Sequence, residues 1–140
     1  MKVAIVAARF NAFIVEPLVE KARAALRERG VADEDVFVAE VPGAFEIPAV
    51  ARRLADGGRF DAIICVGCVI RGATSHYDFV AGHAAYGVGE VAMKAKVPVI
   101  FGVLTVENVE QAIERVGHGA DYAHAALDMA TLYRELEARA

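Results

Sequence analysis

Two hydrophobic periods alternate along this chain. Short, almost unbroken apolar runs are separated by longer stretches in which apolar residues recur every third or fourth position. The run Val3-Ala4-Ile5-Val6-Ala7 has no polar face, the mark of a parallel strand covered on both sides. In the stretch from Ile14 to Arg29, Ile14, Leu18, Ala22 and Leu26 fall on one stripe with Val15 and Val19 beside it, which predicts a helix stopped by Gly30. Pro17 is expected in its first turn. Val36 to Val41 predicts a second strand, broken by Pro42-Gly43, and Glu46-Ile47-Pro48 opens a short helix ending near Asp56-Gly57-Gly58. Ala62 to Ile70 predicts the third strand, and Val97 to Leu104 the fourth. Between them the pattern from Asp78 to Lys96 is helical, although Gly82, Gly87 and Gly89 each cost up to about 1 kcal/mol there relative to Ala. Those glycines suit close packing against a neighbour. Asn108-Val109-Glu110-Gln111 is a capping pattern for a helix to about Val116. Gly117 and Gly119 are expected to break it before a last helix from Ala120 to Arg139.

Four strands, each followed by a helix, predict an α/β fold. The expected architecture is a single-domain, flavodoxin-like three-layer sandwich spanning residues 1–140. Its four-stranded parallel sheet has the order 2-1-3-4, with helices on both faces. Right-handed crossovers then leave a switch point between strands 1 and 3, where open α/β sheets bind ligands. Phe10, the Gly43–Glu46 turn and the Gly67–His76 loop all follow carboxyl ends of strands and meet at that edge. The chain has no internal repeat, low-complexity segment or interdomain linker.

Composition narrows the function. The chain has 140 residues, of which 56% are hydrophobic, and a small domain has limited interior to hold them. Part of that excess is expected to be buried between subunits. A formal charge of −4 lacks the basic face that nucleic acid requires. No apolar run approaches the roughly 20 residues of a membrane helix. Met1-Lys2-Val3 leads straight into a strand pattern, so no signal peptide is expected, and the two cysteines read as reduced thiols. The expected location is the cytoplasm.

The chemistry concentrates in Gly67 to Asp78. Gly72 permits close backbone approach to a ligand, the N–H groups opening the next helix favour an anion, and His76 can move a proton near neutral pH. Other motifs are weaker. Cys65-x-x-Cys68 lies inside a strand, where positions three apart face opposite sides, so the pair cannot share a metal or form a disulfide. Gly67-x-x-x-x-Gly72-Ala73-Thr74 lacks the lysine of a nucleotide-binding P-loop, and Gly87-x-Gly89-x-x-Ala92 falls within a helix rather than after a strand. His83, His118 and His124 show no spacing with acids or cysteines that would hold a metal. Taken singly, Phe10 could be a core aromatic. Glu46 and Arg115 could be charges placed against helix dipoles, and His76 a polar residue near a helix start.

Taken together, these residues resemble the lumazine synthase family of riboflavin biosynthesis, almost from end to end. The resemblance rests on Arg9-Phe10-Asn11, Pro42 to Pro48, Gly67 to Asp78, Phe101 to Thr105 and Glu110 to Arg115. It implies condensation of 5-amino-6-(D-ribitylamino)uracil with 3,4-dihydroxy-2-butanone 4-phosphate to 6,7-dimethyl-8-ribityllumazine, phosphate and water, with no metal or organic cofactor. It implies that Phe10 stacks on the pyrimidine, that Asn11 bonds the ring edge, and that Ala44, Phe45 and Glu46 hold the ribityl chain. Backbone groups of Cys68, Val69 and Ile70 read the ring, while Ala73, Thr74 and Arg115 take the phosphate. His76 is the general acid–base. Phe101 and Arg115 reach in from an adjacent subunit of a homopentamer, which in the family builds larger shells and associates with riboflavin synthase. Two departures stand out: the first strand starts almost at Met1 without the family's extension, and the segment after Arg115 is short. His118 and Asp121 stand where relatives carry a lysine and an acid. The alternatives are a non-catalytic lumazine- or flavin-binding shell protein on the same scaffold, and an unrelated flavodoxin-like domain binding a phosphorylated ligand.

Overall fold

The structure, a computed structural model, describes residues Met1–Ala140. Its strands are β1 (Val3–Ala8), β2 (Val36–Val41), β3 (Ala62–Ile70) and β4 (Val99–Val106). Its helices are α1 (Ala12–Glu28), α2 (Ile47–Asp56), α3 (His76–Lys94), α4 (Val109–Glu114) and α5 (His118–Arg139), and short 3-10 turns cover Asp33–Asp35 and Ala44–Glu46. All strand pairs are parallel and the order is β2-β1-β3-β4, as the alternating pattern predicts. The fold is the flavodoxin-like α/β sandwich.

The unbroken apolar runs are the central strands. Every residue of β1 is buried, and so is every residue of β3 except Ile70. One core cluster joins the sheet to α1 and α5 through Ile5, Ile64, Leu18, Leu26 and Leu127. A second lies on the opposite face against α2 and α3, built on Val6, Ile63, Ile47 and Val88. Fully burying an aliphatic side chain of this size contributes roughly 1.5–3 kcal/mol, so these two layers supply the main driving force. Cys65 belongs to the second cluster and Cys68 to the first, so the two thiols lie on opposite faces of the sheet.

Several boundaries shift from the expected ones for local reasons. Helix α1 starts two residues early, because Asn11 adopts a left-handed conformation (φ 61°) and its carbonyl accepts from the N–H groups of Ile14 and Val15. Pro17 consequently lies inside the helix rather than in its first turn. Strand β4 runs Val99–Val106 instead of Val97–Leu104. The Pro98 carbonyl still bonds the Ile63 N–H, but proline has no N–H to donate, and the far end pairs up to Ile70↔Val106. Helix α3 begins at His76, not Asp78.

Gly119 does not break the chain as expected; it lies within α5 and is buried. A Cβ there would overlap the Leu18 carbonyl oxygen and lie 2.9 Å from the Leu18 carbonyl carbon, so glycine is what lets α5 approach α1. In α3, Gly87 does the same against Pro48, 2.7 Å from where a Cβ would sit, whereas Gly82 and Gly89 have open space. We expect Gly119→Ala to cost about 1–3 kcal/mol, the range for an overpacked core, measured by urea denaturation. An unchanged midpoint would show that α1 and α5 can separate without loss.

Candidate active site

The carboxyl ends of β1, β2 and β3 open onto one cavity of about 600 Å³. The chain leaving β1 is tied to the chain leaving β2: the Arg9 N–H donates to the Val41 carbonyl at 2.8 Å and the Phe10 N–H to the Pro42 carbonyl at 3.1 Å. These bonds turn Phe10 outward, and its ring is 71% exposed although it is among the most apolar side chains present. An aromatic face left open on a cavity wall is available for stacking.

Asn11 is the most constrained residue of the site. Left-handed backbone costs most non-glycine residues energy, and Asn tolerates it best. Its Nδ2 donates to the Cys68 carbonyl at 2.8 Å, tying the start of α1 to β3. That bond uses one of the two amide N–H donors, so Asn11 still presents its Oδ1 and one N–H to a ligand. Strained backbone held by a cross-element hydrogen bond is a feature of binding sites.

Pro42 and Gly43 carry the chain into the 3-10 turn Ala44–Glu46, whose Glu46 N–H bonds the Gly43 carbonyl at 3.2 Å. Ala44 is buried, while Phe45 and Glu46 are exposed toward the cavity. The Phe45 ring stacks on His83 of α3, with centroids 3.9 Å apart and planes 20° apart. Beyond β3, the N–H groups of Gly72, Ala73, Thr74 and Ser75 bond to no protein acceptor, and the backbone N–H of His76 reaches the Thr74 hydroxyl at 3.3 Å. Four consecutive free amides before the N-terminus of a long helix make a concavity suited to an anion. His76, the first residue of α3, faces the same cavity with its imidazole free of protein hydrogen bonds.

Ten residues expected at the site line this cavity: Phe10, Asn11, Ala44, Phe45, Glu46, Cys68, Val69, Ile70, Thr74 and His76. Ala73 lies between lining residues Gly72 and Thr74. Phe101 and Arg115 are not among the lining residues. Phe101 is mid-strand on the edge strand β4, opposite Cys65 and 40% exposed. Arg115 ends α4, with its Nη1 donating to the Gln111 carbonyl at 2.9 Å. The cavity also takes in Tyr77, which lies in the Gly67–Asp78 stretch but was assigned no role, and Val80, which no motif singled out; their i, i+3 spacing on the first turns of α3 was the available signal.

The thiols are excluded from nucleophilic work. Burial pushes Cys65 up to about 12 and Cys68 up to about 11, so both stay protonated and inert near neutrality. No three histidine, cysteine, aspartate or glutamate side chains gather as a metal site. No helix is long and apolar enough to cross a membrane.

Residues 1–134 match the family described as 6,7-dimethyl-8-ribityllumazine synthase. The chain belongs to the lumazine synthase family. Membership places it in riboflavin biosynthesis, as a transferase acting on small molecules. The match includes every residue of the cavity and both residues outside it, Phe101 and Arg115.

The Asn11 geometry carries a prediction. Asn11→Ala loses the bond to Cys68 and the tolerance for left-handed backbone, for an expected loss of about 1–2 kcal/mol in urea denaturation. Asn11→Gly restores the backbone freedom and is expected to recover part of that loss. Equal stabilities for Ala and Gly variants would contradict a left-handed Asn11.

Proposed function

We propose that this protein condenses 5-amino-6-(D-ribitylamino)uracil with 3,4-dihydroxy-2-butanone 4-phosphate, giving 6,7-dimethyl-8-ribityllumazine, phosphate and water. The observation that carries this reading is the shared cavity. It holds an exposed aromatic face at Phe10, a run of unpaired amides at Gly72–Ser75 and a free imidazole at His76. A flat heterocycle, a phosphate and a proton in transit need those three things.

In this reading Phe10 stacks on the pyrimidine, worth about 0.5–1.5 kcal/mol beyond area burial. The Asn11 Oδ1 accepts from the ring edge, and backbone groups of Cys68, Val69 and Ile70 read the rest of it. Ala44, Phe45 and Glu46 hold the ribityl hydroxyls. The amides of Ala73 and Thr74, with the Thr74 hydroxyl, cradle the phosphate. That hydroxyl bonds the His76 N–H in the free protein, so phosphate enters a cradle already in register with the imidazole. The substrate amine attacks the ketone carbonyl and one water leaves as the imine forms. Elimination of phosphate then leaves an enol that becomes the second carbonyl, on which the ribitylamino nitrogen closes the ring with loss of a second water. His76 supplies and removes protons as the imine forms and as phosphate departs, a contribution of about 10²–10⁴-fold. The rest comes from holding two substrates in contact.

Phe101 and Arg115 lie outside the cavity of their own chain, and in this reading each serves the cavity of a neighbour in a homopentamer. Apolar surface left open on the single chain supports association. Phe79, Tyr86 and Met93 recur every seven residues along α3, at 71%, 72% and 87% exposure. A heptad stripe of that kind suits packing between helices. In this reading His118, first in α5 and exposed, is the nearest equivalent of the lysine that relatives carry after this arginine.

Mixing the two substrates with purified protein tests the reaction by lumazine absorbance, and binding without turnover would mean a lumazine- or flavin-binding shell protein. His76→Ala and Arg115→Ala are each expected to lose most activity while remaining assembled. Co-refolded together, the two inactive variants are expected to regain about a quarter of wild-type activity, because random mixing completes that share of cross-subunit sites. Mixed oligomers that stay inactive would contradict a site shared between chains.

A further inference from the structure

All of Gly72 to His76 is exposed, and a Cβ on Gly72 would meet no atom within 4 Å. A cradle of backbone amides favours an anion only if it is held in shape before the anion arrives. The restraint comes from the loop's first flank. The Arg71 N–H donates to the Val106 carbonyl at 2.9 Å, fastening the end of β3 to the end of β4. The Arg71 guanidinium then bridges the exit of β4 and the first turn of α3. Its Nε bonds Glu107 after β4 at 2.9 Å, its Nη1 bonds Asp78 in the first turn of α3 at 3.4 Å, and its carbon lies 4.2 Å over the Tyr77 ring. Tyr77 in turn lines the cavity beside His76.

We propose that Arg71 is a positioning residue for phosphate recognition: its fork on Glu107 and Asp78, stacked over Tyr77, sets the Gly72–Ser75 amides relative to His76. The inference rests on the functional reading above. Arg71 is not among the residues lining the cavity, and its Nε and Nη1 are directed at Glu107 and Asp78, so its role falls on the loop rather than on the phosphate. Its single positive charge also offsets part of the negative charge of those two acids at the edge of an anion site, where they would otherwise repel phosphate more strongly. A lysine cannot reproduce the arrangement, since a point charge has no planar fork to bond two carboxylates on different elements. Nor is global stability the main effect, because exposed ion pairs of this kind contribute little to it.

The same connection continues toward Arg115. The Glu107 N–H donates to the Gln111 side-chain oxygen at 2.8 Å, the Gln111 N–H to the Asn108 side chain at 2.9 Å, and Arg115 to the Gln111 carbonyl at 2.9 Å. Glu107 therefore joins the loop that cradles phosphate to the helix that presents Arg115.

Steady-state kinetics on Arg71→Met, Arg71→Lys and Glu107→Gln test the proposal, with both substrates varied. Arg71→Met is expected to raise KM for the phosphorylated ketone roughly tenfold, with KM for the pyrimidine within about twofold of wild type. Arg71→Lys is expected to recover only part of the loss. Equal rises in both KM values, or full recovery with lysine, would overturn the positioning role. So would an unchanged ketone KM in Arg71→Met. If Arg71→Met does not fold, Glu107→Gln carries the test, with an expected rise of roughly threefold confined to the ketone. A wild-type protein that makes no lumazine would instead remove the functional reading itself.

Discussion

Strand β3 is hydrogen-bonded on both sides and buried on both faces, and the position of everything chemical follows from that. Its residues cannot slip in register without moving apolar side chains into the wrong layer, since Cys65 and Cys68 already serve opposite cores. With β3 fixed between β1 and β4, the chain must leave it at one place, beside the turn after β1. The order β2-β1-β3-β4 sends the connections from β1 and β3 in opposite directions, and the crevice between them is where Phe10 and His76 meet.

Within that crevice, rigid and loose parts are separated. The Arg9–Asn11 turn is held by two backbone bonds to the β2 exit and by Asn11 to Cys68. The anion loop is exposed and has four free amides. A flat ring needs a fixed wall, whereas a phosphate needs unpaired donors, which cannot be buried without cost before it arrives. The division of labour between α1 and α3 follows from that difference.

Much of this was legible in the residues. The unbroken apolar runs gave the strands and their burial, and the alternation of strand and helix led to the sheet order. Motifs at strand ends identified most of the cavity wall. What escaped notice depended on contacts between distant positions. Gly119 looks like a helix breaker until α1 is known to lie against it. Arg71 carries no periodic signal, because Glu107 is separated from it by 36 residues. Asn11 stands in a recognisable motif, but its left-handed backbone and its side-chain bond to the Cys68 carbonyl, 57 residues away, leave no local signal. Phe101 and Arg115 stood in recognisable motifs, yet a single chain gives them no cavity of their own to line.

The central claim is that the crevice between β1 and β3, completed by a second chain, holds a heterocycle and a phosphate side by side. The most direct test is a crystal structure of the assembled protein with a lumazine analogue and inorganic phosphate. The ring is expected against Phe10, phosphate on the Gly72–Ser75 amides, and an Arg115 from a different chain within reach of that phosphate. An analogue bound elsewhere, or a phosphate approached by Arg115 of the same chain, would contradict it.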